Sequence, residues 1–274
     1  MKIKFTLGVC AIALLTACGG GNNSTEAEKE FDLKPYNDSL ANFIKDNKGK
    51  LDSLLINMET FAKEADAGKH KTNYKFKLAD STLNFSPCTY GYSTFNAPVK
   101  AFNAIYLSNN ALLGTPLPEN MVADIFIPRD FVKAKDLIKT GKTDHGTLNG
   151  ESLAKEMHND RVLLESYLNL KYLIYIRNDK YSKGVISAIL STYDIPVLDG
   201  TLYIFDLKNK KFCGAGEFSS SGPKELLYTY KENDISDQQY QAEKTLESQT
   251  PDTIKYKTIK LLKEFVNVDE ESID

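Results

Sequence analysis

The segment from Leu170 to Phe218 carries the strongest strand pattern of the sequence and decides the fold class. It reads LKYLIYIR (170–177), GVISAILSTY (184–193), TLYIFDL (201–207) and KFCGAGEF (211–218). Runs this rich in Ile and Tyr are typical of β-strands. Because both faces are apolar, we expect a β-meander in the middle of the core, covered by helices. Asp199-Gly200 predicts a hairpin turn before the third run, and Lys208 to Lys210 predicts a second turn.

Helical spacing of apolar residues appears on both sides of the meander. Asn37 to Ala67 follows the i, i+3, i+4 rhythm, either as one helix or as a helical hairpin divided at Gly49. Asp130 to Thr140 and Glu151 to Leu168 predict two further helices. Near the C-terminus, Thr250-Pro251 predicts the start of a last helix, with proline in its first position.

Weaker strand signals lie between these elements. Tyr74, Phe76 and Leu78 alternate with lysines, which predicts a half-exposed strand, and Asp124 to Ile127 predicts a short one. Ala101 to Leu107 fits a strand or a helix equally well. The whole pattern predicts an α+β fold. We expect an antiparallel sheet of about four to six strands, packed with N-terminal and C-terminal helices in one domain over residues 36–274.

The first 21 residues, MKIKFTLGVCAIALLTACGGG, form an export signal. Lys2 and Lys4 precede an uncharged apolar run from Phe5 to Leu15, which is too short to span a bilayer. The following Leu15-Thr16-Ala17-Cys18 resembles the lipobox of bacterial lipoproteins. The resemblance implies a signal peptide over residues 1–17, cleavage before Cys18, and diacylglycerol on its sulfur, usually with a further acyl chain such as palmitate on the new amine.

Residues 18–35 predict a flexible tether between the lipid and the domain. This segment is rich in Gly, Asn, Ser, Thr and Glu, which cannot bury enough surface to fold. Gly19 follows the cysteine where an inner-membrane sorting signal would have Asp, so the resemblance implies the outer membrane. Whether the domain faces the periplasm or the cell surface stays open at this point.

Charge and composition exclude several classes of protein. The chain of 274 residues is 42% hydrophobic and 26% charged, which is a globular balance. Its formal net charge is −3, and it becomes −5 when Lys2 and Lys4 leave with the signal peptide. Nucleic-acid binding needs clustered Lys and Arg, and we therefore expect no nucleic-acid partner.

Two cysteines remain in the predicted domain. Cys10 belongs to the signal peptide and Cys18 to the lipid anchor, which leaves Cys88 and Cys213. In an oxidising compartment such a pair is a candidate disulfide. Two separately buried thiols are equally compatible with the sequence, since free cysteine packs like a small hydrophobic residue.

The sequence contains no complete motif for catalysis or for binding a cofactor or a metal, and we predict no such site. His145 and His158 lie near Asp144 and Asp160, but without the spacing of metal ligands, and HExxH and GxSxG do not occur. Cys213 to Ser219 begins like GxGxxG. Its third glycine is replaced by Ser219 and no helix follows, so we expect a bulge or loop there.

The sequence therefore favours a membrane-anchored envelope lipoprotein that binds a partner protein or a ligand without catalysis. An assembly role is a variant of this hypothesis, in which the apolar stripe from Leu40 to Ala65 forms the interface. The alternative is an envelope hydrolase with a site of scattered Asp, Glu and His, for which Asp194 and Asp199 offer one acid pair.

Overall fold

The computed structural model describes residues 31–78, 82–85, 102–141, 148–187, 192–229 and 234–268. Residues Asp32–Asp274 form one compact unit. In chain order, its helices and strands are α1 (Lys34–Asp66), β1 (Thr82–Leu83), β2 (Ala104–Ser108), α2 (Asn109–Leu113), α3 (Arg129–Thr140), α4 (Gly150–Leu168), β3 (Tyr172–Ser182), β4 (Ile186–Ser187), β5 (Thr192–Tyr193), β6 (Val197–Asp206), β7 (Lys211–Ser221), α5 (Ile235–Lys263) and β8 (Asn267–Val268).

A four-stranded sheet with the order β2-β3-β6-β7 forms the centre of the domain. The pairs β3-β6 and β6-β7 are antiparallel, which confirms the predicted α+β class with helices from both ends of the chain. The pair β2-β3 is parallel, which the sequence analysis did not predict. A parallel pair needs a long crossover, and α2, α3 and α4 supply it between these strands.

Helices cover both faces of the sheet, as predicted from strands that are apolar on both faces. Leu173, Tyr175 and Phe205 face a cluster built with α1, α3 and α4. Ile174 and Ile204 face the other cluster, to which α5 contributes Ile254, Ile259 and Leu262. Adjacent residues of one strand point to opposite faces, so each strand contributes to both clusters.

Helix α1 runs through Gly49 without interruption, so the hairpin alternative is wrong. A glycine inside a helix costs about 1 kcal/mol, but the turns on both sides of it are held by buried residues. The stripe predicted as a face of this helix includes Leu40, Leu51, Met58 and Ala65, and these pack inside the core of the same chain. This packing removes the reason for treating the stripe as an assembly interface. The helix begins at Lys34, so Lys34 and Pro35 of the predicted tether are helical.

Helix α5 continues through Pro251, so the helix start predicted at Thr250 is wrong. Thr250 is itself buried within the helix, and Ile254 and Thr258 continue the same buried face. Packing against the sheet therefore outweighs the hydrogen bond that proline cannot donate. Helices α3 and α4 agree with their predictions.

The turn predicted at Asp199-Gly200 is also wrong, because both residues lie inside β6. Gly200 pairs with Asn178 on one side and with Phe218 on the other. A Cβ atom at this position would collide with the carbonyl oxygen of Arg177, so the glycine serves close strand packing. The turn predicted at Lys208 to Lys210 is confirmed and joins β6 to β7.

Three further strand predictions need correction. Residues 184–193 were expected as one strand, and the structure has β4 and β5 paired as a small hairpin, with residues 188–191 outside the described part. Residues 124–127 form bends and coil, and the ambiguous segment 101–107 contributes residues 104–107 to β2. Residues 74–78 form no strand of their own. They lie along the outer edge of β7, where the Tyr74 amide donates to the Ala215 carbonyl at 3.0 Å and the Lys77 amide donates to the Cys213 carbonyl at 3.0 Å.

Candidate functional site

A polar cleft of about 460 Å³ opens where β3, β6 and β7 lie side by side beyond the helical cover. Its polar lining consists of Arg177, Asp179, Asp199, Thr201, Glu217 and Ser219, and Gly200 and Phe218 complete it. Strand register explains the grouping, since Arg177, Thr201 and Glu217 are direct neighbours across the three strands. Direct cross-strand neighbours share one face of a sheet.

The centre of the polar cleft is an arginine–aspartate pair. Arg177 donates from Nε to Oδ1 of Asp179 at 2.6 Å, and the hydroxyl of Thr201 donates to Oδ2 at 3.0 Å. A bulge in β3 between Asn178 and Lys180 makes this possible, because it adds one residue to the strand. The bond to Asp179 raises the pKa of Arg177 above its ordinary value.

Two buried tyrosines lie beneath the arginine. The Tyr175 hydroxyl donates to Oδ1 of Asp66, at the end of α1, at 2.7 Å. Burial, and then the bond to Asp66, raises the pKa of Tyr175 far above 10. Burial also raises the pKa of Tyr203, whose ring lies 5.7 Å below the Arg177 guanidinium. The positive charge of Arg177 is thus held between a carboxylate and an aromatic face.

The outer rim of the polar cleft is negative. Asp199 is half-buried and Glu217 is exposed, and neither forms an ion pair within the described part of the chain. Lys180 stands opposite Asp199 in the strand register without bonding to it. Since Asp179 is already neutralised by Arg177, these two carboxylates are the charges that the cleft offers to a ligand.

A second depression of about 300 Å³ lies between residues 76–78 and the end of α5. The Phe265 ring closes it, with its centroid 5.1 Å from Phe76 and 6.1 Å from Tyr74. Its lining residues are Phe76, Leu78, Lys263, Glu264, Phe265, Val266 and Asn267. We see no grouping of functional side chains among its described residues that would suit catalysis.

Cys213 is buried on β7, and its sulfur lies 3.7 Å from the Lys211 carbonyl oxygen. Burial raises the pKa of the Cys213 thiol, which makes it a poor nucleophile. Cys88 lies outside the described residues, so the disulfide with Cys213 stays a prediction. Cys18 and the rest of the predicted signal and tether up to residue 30 also lie outside the described part.

The described histidines lie away from the polar cleft. His70 stacks on Phe212 with ring centroids 4.4 Å apart, and its Nε2 is 3.5 Å from Glu64. His158 lies on α4, while His145 and Asp144 are outside the described residues. The structure therefore describes two of the chain's three histidines, His70 and His158, and both lie outside the polar cleft.

Asp160, named beside His158, belongs to a buried ion pair. It accepts a contact from Lys133 Nζ at 2.5 Å, and Lys133 also bonds Glu156, which ties α3 to α4. Burial alone would lower the pKa of Lys133, but its bonds to Asp160 and Glu156 raise it above its ordinary value. Burial raises the pKa of the neighbouring Asp130. The network therefore holds the two helices together.

The segment from Cys213 to Ser219 is part of β7, with a bulge beside Gly214, as the sequence indicated. Of the acid pair Asp194 and Asp199, Asp199 lines the polar cleft and Asp194 does not. Sequence reasoning missed Arg177 and Glu217. The sequence signal for Arg177 was a charge at the end of an apolar run. The signal for Glu217 was a charge within a glycine-rich run.

Two features are absent from the described residues. No helix there is long and apolar enough to cross a membrane. The same part of the chain has no group of three or more His, Cys, Asp or Glu side chains arranged to hold a metal ion. Comparison of the sequence and structure with protein-family models, curated proteins and solved structures finds no match in any of the three.

Proposed function

We propose that this protein is a lipid-anchored, non-enzymatic binding module of the bacterial cell envelope. The observation that carries the proposal is Leu15-Thr16-Ala17-Cys18, placed directly after two lysines and an uncharged apolar run. Two or three acyl chains on Cys18 give a stable anchor, whereas a single chain binds a membrane only marginally. Gly19 directs the protein to the outer membrane in this proposal.

The polar cleft supports the binding part of the proposal. It is open, and Asp199 and Glu217 at its rim have no ion-pair partner within the described residues. Its one central cation, Arg177, is already engaged by Asp179. A surface with unpaired charges next to a rigid sheet is suited to holding a partner of opposite charge. The partner in this proposal is an envelope protein or ligand, and the bilayer is contacted through the lipid on Cys18.

The anchor is tested by intact-mass measurement of the protein purified from membranes. We expect a mature chain that begins at Cys18 and carries the mass of a diacylglycerol and a further acyl group. Cys18→Ala should leave the precursor uncleaved and unlipidated. Cys10→Ala is the matched control, because Cys10 lies in the apolar run and should be dispensable for processing.

A mass without acyl groups, or an N-terminus elsewhere, would contradict the anchor. So would equal processing of the Cys18→Ala variant and the parent protein. Partition into the detergent phase after cloud-point separation gives an independent measurement of the same property.

An envelope hydrolase is the second candidate, because three carboxylates line the polar cleft. A glycosidase needs a pair of them acting as acid and as base or nucleophile. A screen of the full-length protein against glycan, peptide and ester substrates tests this. Activity that is lost in both Asp199→Asn and Glu217→Gln would establish the hydrolase and overturn the non-enzymatic proposal, and a silent screen would eliminate the hydrolase.

A further inference from the structure

The two outer edges of the central sheet are covered to different extents. At the β2 edge, the amides of Asn103 and Ala104 both donate to the Asn84 carbonyl, and Phe85 forms a bridge to Ala104. Further along, the Ser108 amide donates to the Phe126 carbonyl at 3.3 Å. Backbone groups that would otherwise remain unpaired are therefore satisfied along both ends of β2.

At the β7 edge, the covering segment reaches the first half of the strand. Tyr74 and Lys77 donate their amides to the carbonyls of Ala215 and Cys213, both at 3.0 Å. The segment can lie this close because Gly214 has no side chain. A Cβ atom there would be 2.7 Å from the Lys75 carbonyl oxygen.

Among the described residues, nothing pairs with the outer edge of the second half of β7. Ala215 directs its backbone groups away from β6, and by strand alternation Glu217 and Ser219 direct theirs the same way. Within the described part of the chain, no backbone group bonds these two residues at that edge, and both side chains are exposed. Lys257 marks the upper limit of the opening, because its Nζ binds the Ser221 and Gly222 carbonyls.

The negative charge beside this opening determines which kind of segment can pair with the edge. Glu217 lies on the edge strand and Asp199 on the next strand, and both line the polar cleft. The two terminal segments next to the described residues are acidic: residues 269–274 read DEESID, and residues 25–30 read TEAEKE. A second copy of this edge would bring another Glu217 carboxylate to the same place. Like charges across strands are destabilising, whereas opposite charges attract.

We propose that the Glu217–Ser219 edge of β7 accepts an extended basic segment of a partner protein as an added strand. Backbone hydrogen bonds to Glu217 and Ser219 hold the segment, and a Lys or Arg side chain enters the polar cleft beside Asp199. This inference deepens the binding part of the proposed function and does not depend on the lipid anchor.

The test uses the full-length protein in detergent and a fluorescein-labelled probe peptide of seven residues, KTKTKTK, followed by fluorescence anisotropy. The matched peptide ETETETE has the same strand pattern with opposite charge. We expect the lysine peptide to bind at least about tenfold more tightly. Equal binding of the two peptides would overturn the proposal.

Backbone pairing is tested with N-methylated lysine peptides. Methylation of alternate residues blocks one edge of a strand and leaves the other edge intact. We therefore expect one of the two alternately methylated peptides to lose binding and the other to retain it. If both bind like the parent peptide, the contact is electrostatic adhesion and the added strand is excluded.

Two variants locate the contact. Ser219→Pro removes an edge amide that a strand partner needs and should abolish binding, while Ser219→Ala should retain it. Glu217→Lys should weaken lysine-peptide binding about tenfold, and the exposed Glu119→Lys, which lies outside the polar cleft, should not. Unchanged binding in Glu217→Lys would overturn the location even if Ser219→Pro failed to fold.

Three results separate this inference from its alternatives. A concentration-dependent dimer that is lost in Ser219→Pro would show that a second copy occupies the edge, and the proposal would be wrong. A lipidated protein that ignores the lysine peptide overturns the edge proposal and leaves the anchor intact. A protein that binds the peptide but carries no lipid does the reverse.

Discussion

The two halves of the β7 edge differ in how they are protected. In the first half, Gly214 lets residues 73–77 lie against the strand and occupy the backbone of Cys213 and Ala215. In the second half, no described residue bonds the backbone of Glu217 at this edge, and its side chain carries a charge. An edge strand is usually protected from unwanted pairing by covering or by charge. This strand uses both, and a charged edge repels its own copy while it admits a segment of opposite charge.

Adding a side chain at Gly214 should disrupt the contact between the covered half of β7 and residues 73–77. In Gly214→Val, the new atoms meet the Lys75 carbonyl oxygen and the Phe76 ring, both 2.7 Å from the Cβ position. We expect a loss of about 2–3 kcal/mol in the free energy of unfolding, as for other overpacked sites. Urea unfolding followed by far-UV circular dichroism measures it.

Ser219→Val is the matched change in the open half. Ser219 is exposed, so the free energy of unfolding should stay within about 0.5 kcal/mol of the parent value. A similar loss in both variants would mean that the second half is also covered, and the comparison between the halves would fail.

A smaller effect comes from the tyrosine beneath the polar cleft. Burial and the bond to Asp66 raise the pKa of Tyr175, so the folded protein holds this proton more firmly than the unfolded chain. The stabilisation is complete below pH 10 and declines as the pH rises above about 10, where the unfolded tyrosine ionises. Urea unfolding across pH 8 to 11.5 should show this decline.

Tyr175→Phe should reduce the alkaline decline and cost about 1 kcal/mol at neutral pH. Asp66→Asn and the double variant complete a mutant cycle, in which the two changes should not add, because they remove one shared bond. Additive losses would contradict a bond between these two side chains.

The smallest effect concerns the bulge beside the polar cleft. Asn178 is buried, and its side-chain amide has no hydrogen-bond partner within the described residues, although its backbone amide donates to Asn109 Oδ1. Burying an unsatisfied amide is costly. Asn178→Leu should therefore stabilise the protein by up to about 1 kcal/mol, and Asn109→Ala should destabilise it. A clear loss in Asn178→Leu would show that the amide is bonded in solution.

The meander and its helical cover were predictable because their signals are local. Each apolar run from Leu170 to Phe218 indicates a strand without reference to the others, and α3 and α4 follow from residue spacing. Local signals also misled at two places. Asp199-Gly200 has the composition of a turn, but pairing with β3 keeps it inside a strand. Thr250-Pro251 has the composition of a helix start, but packing against the sheet keeps it inside α5.

The polar cleft was not predictable, since its members come together through strand register. Arg177 and Glu217 are 40 positions apart and meet because Thr201 pairs with both. The bulge that places Asp179 beside Arg177 has no distinct sequence signal. The length of the open half of the β7 edge depends on where the segment 73–77 ends. The alternating pattern of Tyr74, Phe76 and Leu78 instead predicted that this segment forms a separate strand.

Amide hydrogen exchange along β7, read residue by residue by NMR, is the most direct test of the open edge. The Glu217 and Ser219 amides should exchange much faster than those of Gly216, Phe218 and Ser220, which by strand alternation point toward β6. Addition of the lysine peptide should slow the two fast amides selectively. If Glu217 and Ser219 are as protected as their neighbours before any peptide is added, the edge is already covered and the account is wrong.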